Sequence, residues 1–124
     1  MHLVLPPPNA ICPPIVHIIT EFYKNIYTLN KKLQKGDKLG IGNKIETACL
    51  KCLELSIESA LIAKNEKHPI LKKLQIQTEI LKRLIRLMHE LDIIKIKDYL
   101  SLQKQLQEIS KMANGWIKYL QKRS

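Results

Sequence analysis

Apolar residues in this chain return at alternating steps of three and four, the spacing that gathers side chains on one face of an α-helix. Ile15, Ile19, Phe22, Ile26, Leu29 and Leu33 draw one such stripe. Tyr99, Leu102, Leu106, Ile109, Ala113, Trp116 and Leu120 draw another. Only four glycines occur in the 124 residues, too few for the many turns of a β-sandwich. The pattern predicts an all-α fold, and at 45% apolar composition the chain can bury one hydrophobic core.

The punctuation divides the chain into four helices. The first is expected from Pro14 to Lys35, closed by the glycines at 36, 40 and 42. A second should span Asn43 to Lys64, with Asn43 as N-cap and Glu46 completing a capping box. His68-Pro69 marks the start of a third, with proline at its first position, running to Leu91. The fourth extends from Ile96 to Lys122. Short connections between four amphipathic helices predict an up-down-up-down four-helix bundle over residues 14–124, preceded by a Pro-rich arm, residues 1–13.

Several chemistries are absent from the pattern. The glycine segment 36–42 lacks a Gly-Lys-Ser/Thr ending and follows no strand, so it does not read as a phosphate loop. Cys49-Leu50-Lys51-Cys52 has the spacing of a metal or redox pair but lies within a helix with no second pair to complete zinc coordination. Both cysteines read as core residues, and with Cys12 they make an odd count unsuited to a disulfide framework. Residues 1–20 are uncharged, yet five prolines and the lack of a basic start argue against a secretory signal. No other run reaches the roughly 18 apolar residues of a membrane span. The expectation is a soluble, cytoplasmic protein without membrane partner, metal or cofactor.

No Glu precedes a His by three residues, as the di-iron helical bundles require. One enzymatic pattern survives: Arg83 followed by His89 is loosely similar to the Arg-x4-6-His of HEPN-family ribonucleases, themselves small helical bundles. Six residues turn an α-helix by about 240°, so the two side chains fall on different faces. The reading is therefore non-enzymatic.

The second and third helices carry more apolar surface than one bundle consumes. In the second, apolar and small residues cover roughly 260° of the circumference, leaving Thr47, Lys51, Glu54 and Glu58 as a polar strip. In the third, Leu71, Leu74, Leu81, Ile85 and Met88 form one stripe, and Ile76, Ile80, Leu84, Leu87 and Leu91 form a second. A stripe about 100° wide suffices to seat a helix on a core. The excess predicts burial against another copy of the chain.

The formal net charge of +10 is unevenly placed. Residues 1–62 carry 7 basic and 5 acidic side chains, against 14 and 6 in residues 63–124. In the fourth helix Lys97, Lys104, Lys111 and Lys118 stand at strict seven-residue spacing opposite the apolar stripe, a row about 31 Å long at 1.5 Å per residue. Glu108 interrupts it. On the third helix Lys72, Arg83 and Arg86 share a polar strip with Glu79 and Glu90. Such a row can follow the phosphates of a nucleic acid, while the scarcity of aromatics beside it argues against base stacking. The residues expected to bind are Lys97, Lys104, Lys111 and Lys118, with Arg83 and Arg86 in second rank. The binding should be backbone-dominated, salt-sensitive and weakly selective for sequence.

Three segments resemble a known family. Leu39-Gly40-Ile41-Gly42-Asn43-Lys44-Ile45-Glu46 is similar to its L-G-x-K-I-E start of the second helix. Leu81-Lys82-Arg83-Leu84-Ile85-Arg86-Leu87 resembles its L-R-x-L-x-R-L helix. Glu108-Ile109-Ser110-Lys111-Met112-Ala113-Asn114-Gly115-Trp116-Ile117-Lys118 resembles its E-I-G-R-M-L-G-G-W-I-K ending. The family unites the 23S rRNA intervening-sequence proteins with the Avd (accessory variability determinant) proteins of diversity-generating retroelements, and the likeness covers roughly residues 15–119. It implies a homopentameric barrel of four-helix protomers. For the Avd branch it implies binding to RNA or DNA and to a partner reverse transcriptase that makes mutagenic cDNA. The intervening-sequence branch implies a structural oligomer instead. Within the motif, Gly115 is expected to admit a neighbouring helix, with Trp116 filling the space beside it.

Overall fold

The computed structural model describes residues 14–123, and the arm 1–13 with Cys12 lies outside them. The described residues form four long helices and no strand: α1 (Pro14–Asn30), α2 (Asn43–Leu61), α3 (Lys67–Glu90) and α4 (Ile96–Arg123). Each packs on its neighbour in sequence, and α1 closes the ring against α4. Cross-helix bonds show the directions. Asn30 bonds Gly42 and Glu46 across α1 and α2, and Lys67 bonds the Ser59 carbonyl across α2 and α3. Lys82 reaches Gln107 while Gln75 reaches Asn114, and Asn25 bonds Gln105. Every adjacent pair is antiparallel, which is the up-down-up-down bundle the periodicity predicts.

The core is made of the predicted stripes. Ile15, Ile19, Phe22 and Ile26 from α1 meet Leu71, Leu74, Leu81, Ile85 and Met88 from α3, with Leu102, Leu106, Ile109 and Ala113 from α4. Cys49 and Cys52 are buried among them on α2. Burial pushes both thiols upward, Cys52 to about 12, so they remain protonated apolar fillers at neutral pH.

The start of α2 departs from expectation. The first helix stops at Asn30 rather than Lys35, and the chain re-enters helical geometry at Lys35–Asp37, then winds in a π register over Lys38–Gly42. The glycine segment is thus a helical lead-in to α2 with a kink at Gly40, where φ is −90° and ψ is −105°. Asn43 already has helical angles and is no N-cap. Glu46 turns instead to α1, where its carboxylate accepts a bond of 2.8 Å from the Asn30 amide and one of 3.5 Å from the Tyr23 hydroxyl. The Asn30 amide also donates to the Gly42 carbonyl at 2.9 Å. A capping box was expected from a local pattern, and a tertiary bond outcompetes it.

Smaller differences sit at other ends. α2 stops at Leu61 rather than Lys64, where Ile62 turns extended. α3 begins at Lys67, placing Pro69 within the first turn, where its missing N–H costs no intrahelical bond. Its C-terminus closes on Asp92 at φ 59°, with the Asp92 N–H bonded to the His89 carbonyl and the Ile93 N–H to that of Met88. This is a Schellman closure with aspartate in the position usually held by glycine.

Candidate nucleic-acid interface

α4 carries its apolar side chains on one face and its lysines on the other. Leu102, Leu106, Ile109, Ala113, Ile117 and Leu120 are buried, whereas Lys97, Lys104, Lys111 and Lys118 are all exposed. Among the described residues none of the four lysines forms an ion pair. Their charge is therefore uncompensated by contact and available to an external anion. Glu108 stands in the row as the sequence indicates, and with Lys104, Gln107 and Lys111 it lines a shallow concavity of about 500 Å³.

The second-rank residues sit elsewhere. Arg83 and Arg86 are exposed on α3, but Arg86 is engaged by Glu90 at 3.3 Å. Arg83 borders an apolar depression with Ile76, Glu79 and Ile80. His89 is half-buried and stacked on Tyr99, ring centroids 4.7 Å apart. Arg83 and His89 therefore do not converge on one site, and the geometry gives no support to the ribonuclease pattern. Among the described residues no group of three His, Cys, Asp or Glu side chains is placed to hold a metal ion, and no helix is long and apolar enough to cross a membrane.

The motif residues also need revision. Trp116 is only half-buried, packed against the core edge with the Lys67 ammonium 5.7 Å above its ring. Gly115 admits no neighbouring helix: a Cβ built there meets nothing within 4 Å. It faces outward with Lys111 four residues before it and Lys118 three after, so it belongs to the basic row. Lys122 extends the same row by one more step and is exposed. Strict seven-residue spacing omits both, although the three-and-four period of the core stripe, applied to the opposite face, contains them.

The apolar excess is exposed in the single chain. Ile76 on α3 is 61% accessible and Leu91, just past its end, 57%, with Ile80 and Leu87 also open. On α2, Leu61 is 73% accessible, with Leu50 and Ile57 exposed behind it. These stripes lie on separate flanks. Leu50 and Ile57 follow Glu46 by four and eleven residues and share its α1-facing side. Ile76, Ile80, Leu87 and Leu91 lie between about 120° and 180° around the helix from Lys82, which faces α4. The exposed polar strip of Thr47, Lys51, Glu54 and Glu58 runs between them.

Comparison with known proteins adds one match. A family model described as bAvd-like matches residues 15–120. No curated protein matches the chain.

Proposed function

The chain belongs to the bAvd-like family, and from that membership and the basic face of α4 we propose that it is a non-catalytic accessory protein of a diversity-generating retroelement. It binds RNA or DNA through Lys97, Lys104, Lys111 and Lys118 and holds the nucleic acid near a partner reverse transcriptase during mutagenic cDNA synthesis. The observation that carries this reading is the row of four exposed lysines opposite the core, free of ion pairs among the described residues. Phosphates neutralised by lysines release condensed counterions, which supplies affinity without base readout.

The protein works as a closed homo-oligomer, a pentamer by its family likeness. Two apolar stripes on different flanks of one protomer support this: the α2 stripe of one copy fits the α3 stripe of the next. Contacts of that head-to-tail kind close into rings. Repetition around the ring multiplies the basic face into a band, and several protomers then hold one strand at once.

Fluorescence anisotropy with labelled RNA and DNA duplexes tests the binding. Affinity is expected to fall steeply between low and moderate salt, and charge reversal of the four lysines to abolish it. Tight binding that ignores salt, or that survives the reversal, overturns the reading.

A further inference from the structure

The bundle does not explain the glycine at position 115 of α4. It lies well inside the helix, where glycine costs about 1 kcal/mol relative to alanine. Among the described residues nothing beyond its own stretch of helix comes within 4 Å of where a Cβ would stand. The stability lost there obtains no packing among the described residues.

What surrounds Gly115 on the outer face is basic. Lys111 stands one turn before it, Lys118 one turn after it, and Lys122 a further turn on, all exposed. Tyr119, 57% accessible, flanks the same spot. Charge along the row is also uneven. Glu108 is the last acidic residue of the sequence, and Lys111, Lys118, Lys122 and Arg123 follow with no carboxylate among them. Glu108 stands between Lys104 and Lys111, and Asp98 follows Lys97, so the carboxylate-free stretch of the row begins past Lys111, at Gly115, Lys118 and Lys122.

We infer that the C-terminal half of α4, around the bare backbone at Gly115, is the point of closest approach for a nucleic-acid phosphodiester backbone, with Lys111 and Lys118 gripping it from either side. The inference rests on the nucleic-acid reading above and sharpens it from a uniform row to one notch. A side chain at 115 stands between the two lysines and holds the phosphates off the helix surface. With glycine there, both ammonium groups reach phosphates on a backbone lying directly against the helix.

The test compares the wild-type protein with Gly115→Ala, Gly115→Leu, Lys111→Gln/Lys118→Gln and Lys97→Gln/Lys104→Gln by anisotropy of a labelled duplex across a salt series. At about 0.15 M salt each released counterion is worth a factor of about five, so losing two contacts weakens binding about thirtyfold and lowers the salt slope by about two. Lys111→Gln/Lys118→Gln is expected to show that loss. Gly115→Leu is expected to lose about tenfold or more, and Lys97→Gln/Lys104→Gln much less. Circular dichroism accompanies each variant, and Gly115→Ala should melt higher than wild type. Equal affinity for Gly115→Leu and wild type overturns the inference alone. So does a Gly115→Leu protein of altered assembly mass, which assigns the notch to a second copy. A wild-type protein that binds neither RNA nor DNA overturns the parent reading as well.

Discussion

Single polar residues decide how α1 joins α2, and one of them, Asn30, is buried. Its amide nitrogen serves two acceptors, the Gly42 carbonyl and the Glu46 carboxylate, so its removal strands both. Asn30→Ala is expected to lose about 1–3 kcal/mol in urea unfolding, the cost of leaving buried partners unpaired. Asn30→Asp should lose more, because a second carboxylate then faces Glu46, and part of that loss should return as the pH is lowered. Gly42 is held in the same clasp: a Cβ there would lie 3.1 Å from the Asp37 carbonyl and 3.3 Å from the Asn30 amide. None of this was legible in the sequence. Asn43 and Glu46 fit a local capping rule, while the true partner of Glu46 lies sixteen residues upstream on another helix. The buried thiols, by contrast, were read correctly from their place in an apolar helix, and they carry a pH dependence. Burial first, then the neighbouring Cys52 and Glu46, raises Cys49; burial raises Cys52 to about 12 against a partial opposing bond from Thr78. Burial and Glu46 raise Tyr23 in the same direction. Each group holds its proton more tightly when folded, so its contribution is complete below the unfolded value of 9.0 for a thiol and is lost as pH climbs toward the folded one. Unfolding free energies from urea titrations should be level from neutrality to about pH 8.5 and then fall, by up to about 1.4 kcal/mol per pH unit for each thiol. Cys49→Ala/Cys52→Ala should flatten the decline.

At the scale of the helices, the interiors and the starts at Pro14, Asn43 and Ile96 were legible, whereas the C-terminal ends of α1 and α2 and the closure of α3 were not. The three-and-four spacing names most of the core on α1, α3 and α4, because burial on a helix repeats and each position is supported by several others, while Ile45, Ala48 and Leu55 on α2 went unnamed because apolar residues run most of the way round that helix. A terminus is a single event set by a few hydrogen bonds. The close of α3 shows this: the residue in the left-handed region is Asp92, and no glycine marks the turn. Its two closing bonds, from Asp92 to His89 and from Ile93 to Met88, are nevertheless those of the glycine version. Because only the Cβ of Asp92 opposes this conformation, Asp92→Gly should stabilise the protein by about 1 kcal/mol in thermal unfolding. A β-branched replacement, Asp92→Val, should lower the melting temperature instead. The α1–α2 connection failed to be legible for a related reason. Glycines at 36, 40 and 42 suggest a loop, but Lys35–Gly42 is helical with a kink at Gly40, and the Asn30 bond to the Gly42 carbonyl ties the end of that segment to α1.

For the whole molecule, the arrangement of faces matters more than any one face. The lysine row and both apolar excesses were visible in the sequence as angular positions. The flank each apolar stripe occupies was not, because it depends on which neighbour each helix meets. With Leu50, Ile57 and Leu61 on one flank and Ile76, Ile80, Leu87 and Leu91 on another, a head-to-tail interface and a two-fold one make different predictions. If α2 of one copy covers α3 of the next, a charge in either stripe removes every interface of the ring. Ile57→Glu and Ile80→Glu should then each run as folded monomers in light scattering, since both positions are exposed and the core is untouched. Mixing the two variants restores a single compatible pair, the intact α2 stripe of Ile80→Glu with the intact α3 stripe of Ile57→Glu. The mixture should therefore yield a dimer that cannot grow, because its outer faces are both charged. A two-fold arrangement behaves otherwise: the interface pairs each stripe with its own copy, so each single variant keeps one dimer by itself and mixing adds nothing. Nucleic-acid affinity supplies the link to function. Monomers and the blocked dimer present one or two basic faces in place of a closed band, so their affinity should fall well below that of the ring although every lysine is retained.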